Sequence, residues 1–156
     1  YRLTAASLCA ASFWRLEDKL GLPIDEVHAP VPGYQRGLAP QLNRFMRRLE
    51  VERLLWRGNW SLVASTDLNQ REERPLEVDA DDALYLRVER QSLRRLPQTR
   101  AVVFTIRVYV HPLMPVLQQP ALRDGLVNAL RQLSPRQRHY KGLDMLAPAL
   151  RRAGLV

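Results

Sequence analysis

One cysteine, Cys9, and two lysines, Lys19 and Lys141, stand in a chain of 156 residues. The lone thiol excludes an intrachain disulfide and gives no reason to invoke secretion, so the expected setting is cytoplasmic. It excludes an internal iron–sulfur cluster, which needs about four thiolates, and a cysteine-based zinc site. No run of about eighteen apolar residues exists, so no helix spanning a membrane is expected. Glycine is sparse as well. Gly33, Gly37 and Gly58 lie too far apart for a phosphate-binding loop, and neither a His-Glu metal helix nor a Ser-His-Asp grouping is present.

What the chain does have is arginine and apolar content. Net charge is +8, nearly all of its positive part arginine, and 46% of the residues are hydrophobic. That apolar fraction argues against disorder, and the length suits a single domain with its own core, residues 1–156. The charge admits phosphate contacts. The arginines are scattered, however, with doublets at 47–48, 94–95 and 151–152, and no aromatic-and-basic RNA-binding signature accompanies them. A solvated arginine surface and an acidic protein partner are the readings that remain ahead of nucleic acid. The chain opens on Tyr1, and YRLTAASLCAASFW lacks the basic stretch of a signal peptide. The expectation is an internal strand in a chain missing its N-terminal part.

Periodicity gives the element order. Residues 1–12 read as a strand. Phe13 to Leu20 has mixed helical spacing and is broken by Gly21 and Pro23. Residues 24–29 make a turn of helix or a loop, and the prolines at 30 and 32 force an extended exit. Leu38 to Leu55 is the clearest helix, with Leu42, Phe45, Leu49 and Glu52 along one side. Three strands follow: 59–65, 83–93 and 101–111. The last two pair antiparallel through Pro97-Gln98-Thr99-Arg100. Residues 67–82 form a polar, acidic loop. Helices are expected near 120–133 and 143–152, with Ser134-Pro135 between them. The predicted class is α+β: an antiparallel sheet with helices over one face in a core of residues 1–112, and a C-terminal helical extension at 113–156. This order resembles a PAS domain whose first strand would precede Tyr1.

Two blocks carry a more specific resemblance. LYLRVERQSLRRLPQTRAVVFTIRVYVHP, residues 84–112, and PIDEVHAPVPGY, residues 23–34, followed by RGNW at 57–60, resemble the haem-dependent oxidative N-demethylase alpha-subunit family. The resemblance implies a haem-binding PAS fold, haem b, and oxidation by molecular oxygen of a small secondary amine such as dimethylamine. The products would be a primary amine and formaldehyde. It also implies a partner subunit carrying flavin and an iron–sulfur cluster, since neither has a recognisable site here. Members of the family are longer than this chain. The alternative is a non-catalytic PAS-like module that senses haem or binds protein.

Three histidines could meet a haem iron. His28 lies in HAPVP, in the crossover ahead of the last three strands, where haem-binding PAS domains place an axial ligand; its other reading is an anchor for the proline-rich turn. His111 alternates onto the polar face with Arg107 and Tyr109, and His139 sits in basic RQRHYK; both read as exposed or structural. Arg90 continues the series Leu84, Leu86, Val88, which points it toward the core. A buried guanidinium needs an anion, either a haem propionate or an internal acid such as Glu26 or Glu17; an exposed strand end is the remaining option. Glu89 faces the other way unless a bulge intervenes, and is a candidate for a substrate ammonium. Asn59 and Trp60, beside Trp56 and Gly58, are candidate pocket walls or plain core.

Overall fold

In a computed structural model, residues 1–71, 78–79, 81 and 83–156 are described. The fold is α+β, as the sequence predicts: among the described residues, six α-helices, one π-helical turn and a three-stranded antiparallel sheet ordered β1-β2-β3. The strands are β1 (Leu55–Val63), β2 (Tyr85–Arg95) and β3 (Val102–Pro112). Each is displaced by one to four residues from its expected bounds, and all three are adjacent as expected. The Leu96 amide donates to the Ala101 carbonyl at 2.8 Å and closes the 97–100 turn, with Arg100 at φ 60°. Ser92 and Thr105 share a hydroxyl hydrogen bond of 2.6 Å across β2 and β3 in the same register.

The chain forms two compact units. Unit one comprises Tyr1–Leu8, Arg15–Asn59 and Val88–Val108; unit two comprises Cys9–Trp14, Trp60–Arg87 and Tyr109–Val156. Unit two holds the leucine-rich core: Leu62, Leu84, Leu113, Leu126, Leu130, Leu143, Leu146 and Leu150 form one cluster. Its helices are α3 (Leu113–Leu117), α4 (Pro120–Gln132), α5 (Pro135–Tyr140) and α6 (Ala147–Arg152). The sequence reading leaves out α5, taking Ser134-Pro135 as a break. Instead Ser134 is an N-cap that accepts from the Gln137 amide while the Gln137 side chain accepts from the Ser134 amide, a capping box. Pro135 starts the helix because a first-turn N–H has no helical partner to lose. The helix ends on Gly142 at φ 71°, with Gly142 donating to His139 and Leu143 to Arg138, a left-handed cap that favours glycine.

Unit one holds α1 (Ile24–Val27), the π-helical turn Tyr34–Leu38 and α2 (Ala39–Arg48). Three expectations are corrected. Residues 1–12 do not form a strand: only Arg2 and Ser12 make isolated bridges, to Pro23 and Gln70. The run of small residues at 4–7 is exposed and gives a sheet nothing to bury. Phe13 to Leu20 is not a helix. Phe13 takes φ 60°, and the segment reduces to a turn in which the Lys19 and Leu20 amides donate to the Leu16 carbonyl. The long helix stops at Arg48 rather than Leu55, because Leu49 turns extended and the chain enters β1. The predicted apolar face of β3 is also less covered than expected. Phe104 is 48% exposed on this edge strand, which has a neighbour on one side only among the described residues. Of the expected acidic loop at 67–82, residues 72–77, 80 and 82 lie outside the described set.

Candidate functional site

Unit one gathers the polar motif around His28. Helix α1 is a single turn, and the next residues fold back on it: the Val31 amide donates to the His28 carbonyl and the Tyr34 amide to the Val31 carbonyl. Gly33, at φ 77°, makes the left-handed turn that starts the π-helical segment, a conformation other residues rarely adopt. The fold-back buries Tyr34, which is 1% exposed, and lays its ring over the His28 imidazole at 5.1 Å and 13°. The Tyr34 hydroxyl donates to Asp25 Oδ1 at 2.7 Å, and Asn43 Nδ2, from α2, lies 3.3 Å from both Asp25 oxygens. Burial, and then the adjacent Asp25 carboxylate, push the Tyr34 phenol up to about 12.

His28 Nδ1 lies 2.9 Å from the Ile24 carbonyl. A carbonyl only accepts, so Nδ1 carries the proton, and in the neutral ring the lone pair sits on Nε2. Nε2 makes no hydrogen bond among the described residues. This is the arrangement a metal-binding histidine uses: one nitrogen steadied by a backbone carbonyl, the other presented as donor. No cluster of three or more His, Cys, Asp or Glu exists among the described residues.

The facing ends of β1 and β2 supply a second group. Arg57 Nε donates to Gln91 Oε1 at 2.7 Å, Gln91 Nε2 donates to Glu89 Oε2 at 2.8 Å, and Asn59 Nδ2 donates to the same oxygen at 3.3 Å. Glu89 and Asn59, two of the predicted residues, are therefore brought together. The β2–β3 register puts Ile106 and Val108 on the same sheet face, so a half-buried carboxylate sits beside apolar side chains.

The other predicted residues fall elsewhere. Arg90 is corrected as to burial: it is exposed, its guanidinium 6.0 Å from the Trp56 ring centre, itself an exposed side chain. The odd-numbered face of β2 is the covered one, with Arg87, Gln91 and Arg95 buried. Trp60 packs against the leucine core of unit two, with Lys141 Nζ 4.7 Å over its ring and donating to its carbonyl. His111 is exposed and stacked on Tyr109, and exposed His139 pairs with Asp144 at 3.2 Å. A cavity of about 460 Å³ opens in unit two between Phe13, Leu62, Val63, Val78, Lys141 and Leu146; none of the five predicted site residues lines it.

Sequence reasoning passed over Arg87 and Arg95. Arg87, fully buried, donates to Ser12 Oγ and to the carbonyls of Ala10, Ala11, Asp67 and Leu68. Arg95 donates to the carbonyls of Leu49, Met46 and Arg100 and to the Tyr1 hydroxyl. A signal was present: 87, 91 and 95 share one strand face with Tyr85 and Leu93.

A half-buried histidine oriented by a backbone carbonyl thus lies on an α+β scaffold. The family described as haem-dependent oxidative N-demethylase, alpha subunit-like, matches residues 1–151, and the chain belongs to it. Haem-dependent oxidation is thus the activity of the family, and an alpha subunit belongs to an assembly of more than one chain. No helix among the described residues is long and apolar enough to cross a membrane.

Proposed function

We propose that this chain is the haem-carrying subunit of an enzyme that removes a methyl group from a small secondary amine, dimethylamine or a close relative. The observation that carries the reading is His28: its Nδ1 proton is committed to the Ile24 carbonyl, and its Nε2 lone pair is left for a metal. Its place in HAPVP, within the matched residues, supports the same role. Haem b, when bound, supplies the oxygen chemistry. The reaction joins dimethylamine, O2, two electrons and two protons to give methylamine, formaldehyde and water. The chain's own residues would hold the haem iron through His28 and the substrate through polar groups. Glu89, steadied by Asn59 and Gln91, is the carboxylate that would receive a protonated amine, while Ile106 and Val108 receive its methyl groups. Arg90, exposed on its strand, would reach a propionate at a haem edge, and Asn59 and Trp60 remain the pocket-side candidates of the RGNW segment. We read the scaffold as PAS-like and its setting as cytoplasmic.

Electrons come from another chain. One cysteine and scattered glycines leave no place for an iron–sulfur cluster or a dinucleotide loop. A flavin and iron–sulfur reductase is therefore the partner, and the arginine-rich surface suits an acidic one, docking in a salt-sensitive way. Haem-loaded protein and its His28→Ala variant provide the test. The variant is expected to lose the axial-histidine absorption spectrum while keeping the sheet. An unchanged spectrum would remove His28 from the iron. Formaldehyde release from dimethylamine, dependent on an added reductase, tests the reaction; sustained turnover with nicotinamide alone would refute the need for a partner.

A further inference from the structure

We propose that Tyr34 is a positioning residue for His28: its ring, tethered through Asp25, holds the imidazole in the plane in which Nδ1 can pair with the Ile24 carbonyl and Nε2 is presented. The inference deepens the reading of His28 as the iron ligand and rests on it. Rotation about the outer side-chain bond of histidine is broad and roughly two-fold. A half-turn would exchange Nδ1 with a carbon and break the bond to Ile24. The hydrogen bond to Ile24 selects between the two half-turn states but restrains only one edge of the ring; a face-to-face neighbour holds the plane in which that bond is made. Tyr34 supplies that face at 5.1 Å and 13°.

The tyrosine is itself fixed at both ends. Its backbone follows the left-handed Gly33 turn, and its hydroxyl donates to Asp25 at 2.7 Å. Asp25 in turn receives the Asn43 amide from α2, and its carbonyl receives Gln35 Nε2 at 3.4 Å. Ile24, Asp25 and His28 all belong to the one turn of α1 and its C-terminal residue. A single turn of helix has little rigidity of its own. Packing against the buried Tyr34 ring and bonding to α2 through Asp25 provide what the helix lacks. A ligand-orienting role differs from mere core filling in what it predicts for the imidazole.

The experiment uses the full chain with its histidines labelled with nitrogen-15. In the haem-free wild type, His28 is expected to show one neutral tautomer, protonated at Nδ1, and ring protons displaced by the Tyr34 ring current. Absence of either feature would overturn the proposal without any variant. Tyr34→Leu is expected to give mixed tautomers at His28. Its affinity for added haem should fall about tenfold, the low end of what loss of a ligand's supporting partner costs. Tyr34→Phe keeps the ring and should keep the Nδ1 tautomer. Equal damage from Phe and Leu would show that the hydroxyl, not the stacked ring, does the positioning, and would overturn the claim. So would a Leu variant with wild-type tautomer and affinity. Should Tyr34→Leu fail to fold, the wild-type and Tyr34→Phe spectra still decide. Failure of the ligand reading is separate: it shows as an unchanged haem spectrum in His28→Ala, whatever the tautomer of the haem-free ring.

Discussion

The two compact units are held together by different chemistry. Unit two is built on leucines: among the described residues, eleven buried side chains, nine of them leucine, make one apolar cluster. Unit one has few buried apolar side chains, among them Ala39, Met46 and Leu49, and closes instead around polar hubs, Asp25 with Tyr34 and Arg95 with the end of α2. Apolar burial is non-directional, and it stabilises without fixing any one side chain's angle. Hydrogen-bonded hubs contribute less net free energy but specify geometry. The ligand candidate His28 lies in the polar unit. A histidine that must present one nitrogen needs direction more than bulk stability.

Among the described residues each unit also contains one buried arginine, and the pair sharpens the contrast. Arg87 in unit two sits over the carbonyls of Ala10, Ala11, Asp67 and Leu68. Its replacement by methionine strands several buried acceptors, each costing about 1–3 kcal/mol. The expected loss is about 4 kcal/mol, read as a lower urea midpoint for the cooperative transition. Leu150→Ala in the same unit, at 0% exposure, should cost about 3 kcal/mol through the cavity it leaves. A near-silent Arg87→Met would mean that its carbonyls find water or other donors, and the comparison would lose its strongest member.

Arg95 bonds to acceptors of another kind. Met46 and Leu49 lie at the C-terminal end of α2, where carbonyls lack helical partners and the helix dipole is negative, and Arg100 is in an exposed turn. Water can take over part of these contacts, so Arg95→Met should cost less, about 2 kcal/mol, and act locally. Faster hydrogen exchange at the Leu96 amide of the hairpin and in α2, with unit two amides unchanged, is the expected pattern. Uniform acceleration across both units would mean that Arg95 supports the whole fold, and the contrast between the units would fail.

The sheet was legible in the sequence because β2 and β3 carry period-two patterns around a turn with proline at its first position. The HAPVP motif singled out His28, whose role at an iron is a proposal. Arg87 and Arg95 were not. A strand reading assigns charged positions to solvent, and the alternation Leu84, Leu86, Val88 outweighed the odd-numbered series. What buries the odd face is a set of carbonyls from distant segments, at 10–11, 46, 49 and 67–68, whose convergence is tertiary. No local pattern records where a backbone carbonyl will lack a donor. Arg90 failed for the same reason: once the opposite face carries the buried guanidinium groups, position 90 turns outward. The end of α2 was misplaced because Leu49 and Glu52 continue its helical spacing while the chain already turns toward β1.

The smallest effect expected is confined to alkaline pH and tests whether the polar hub of unit one is as tight as its geometry implies. Tyr34 must keep its proton to donate to Asp25. Its phenol is raised from 10.0 to about 12, first by burial and then by the hydrogen bond to Asp25 and its charge. A raised value means that the folded chain holds this proton more firmly than the unfolded chain does. The stabilisation is therefore complete below pH 10 and is lost as pH rises from there toward about 12. Tyrosinate absorbance should show Tyr34 titrating late, together with loss of the folded circular-dichroism signal. Asp25→Asn removes the charge but leaves the burial, so the late midpoint should move only part of the way back to the ordinary value. A full return would make Asp25 rather than burial the dominant cause. Titration of Tyr34 near its ordinary value of 10.0 in a still-folded chain would show that water reaches its hydroxyl, and that unit one is open beside His28.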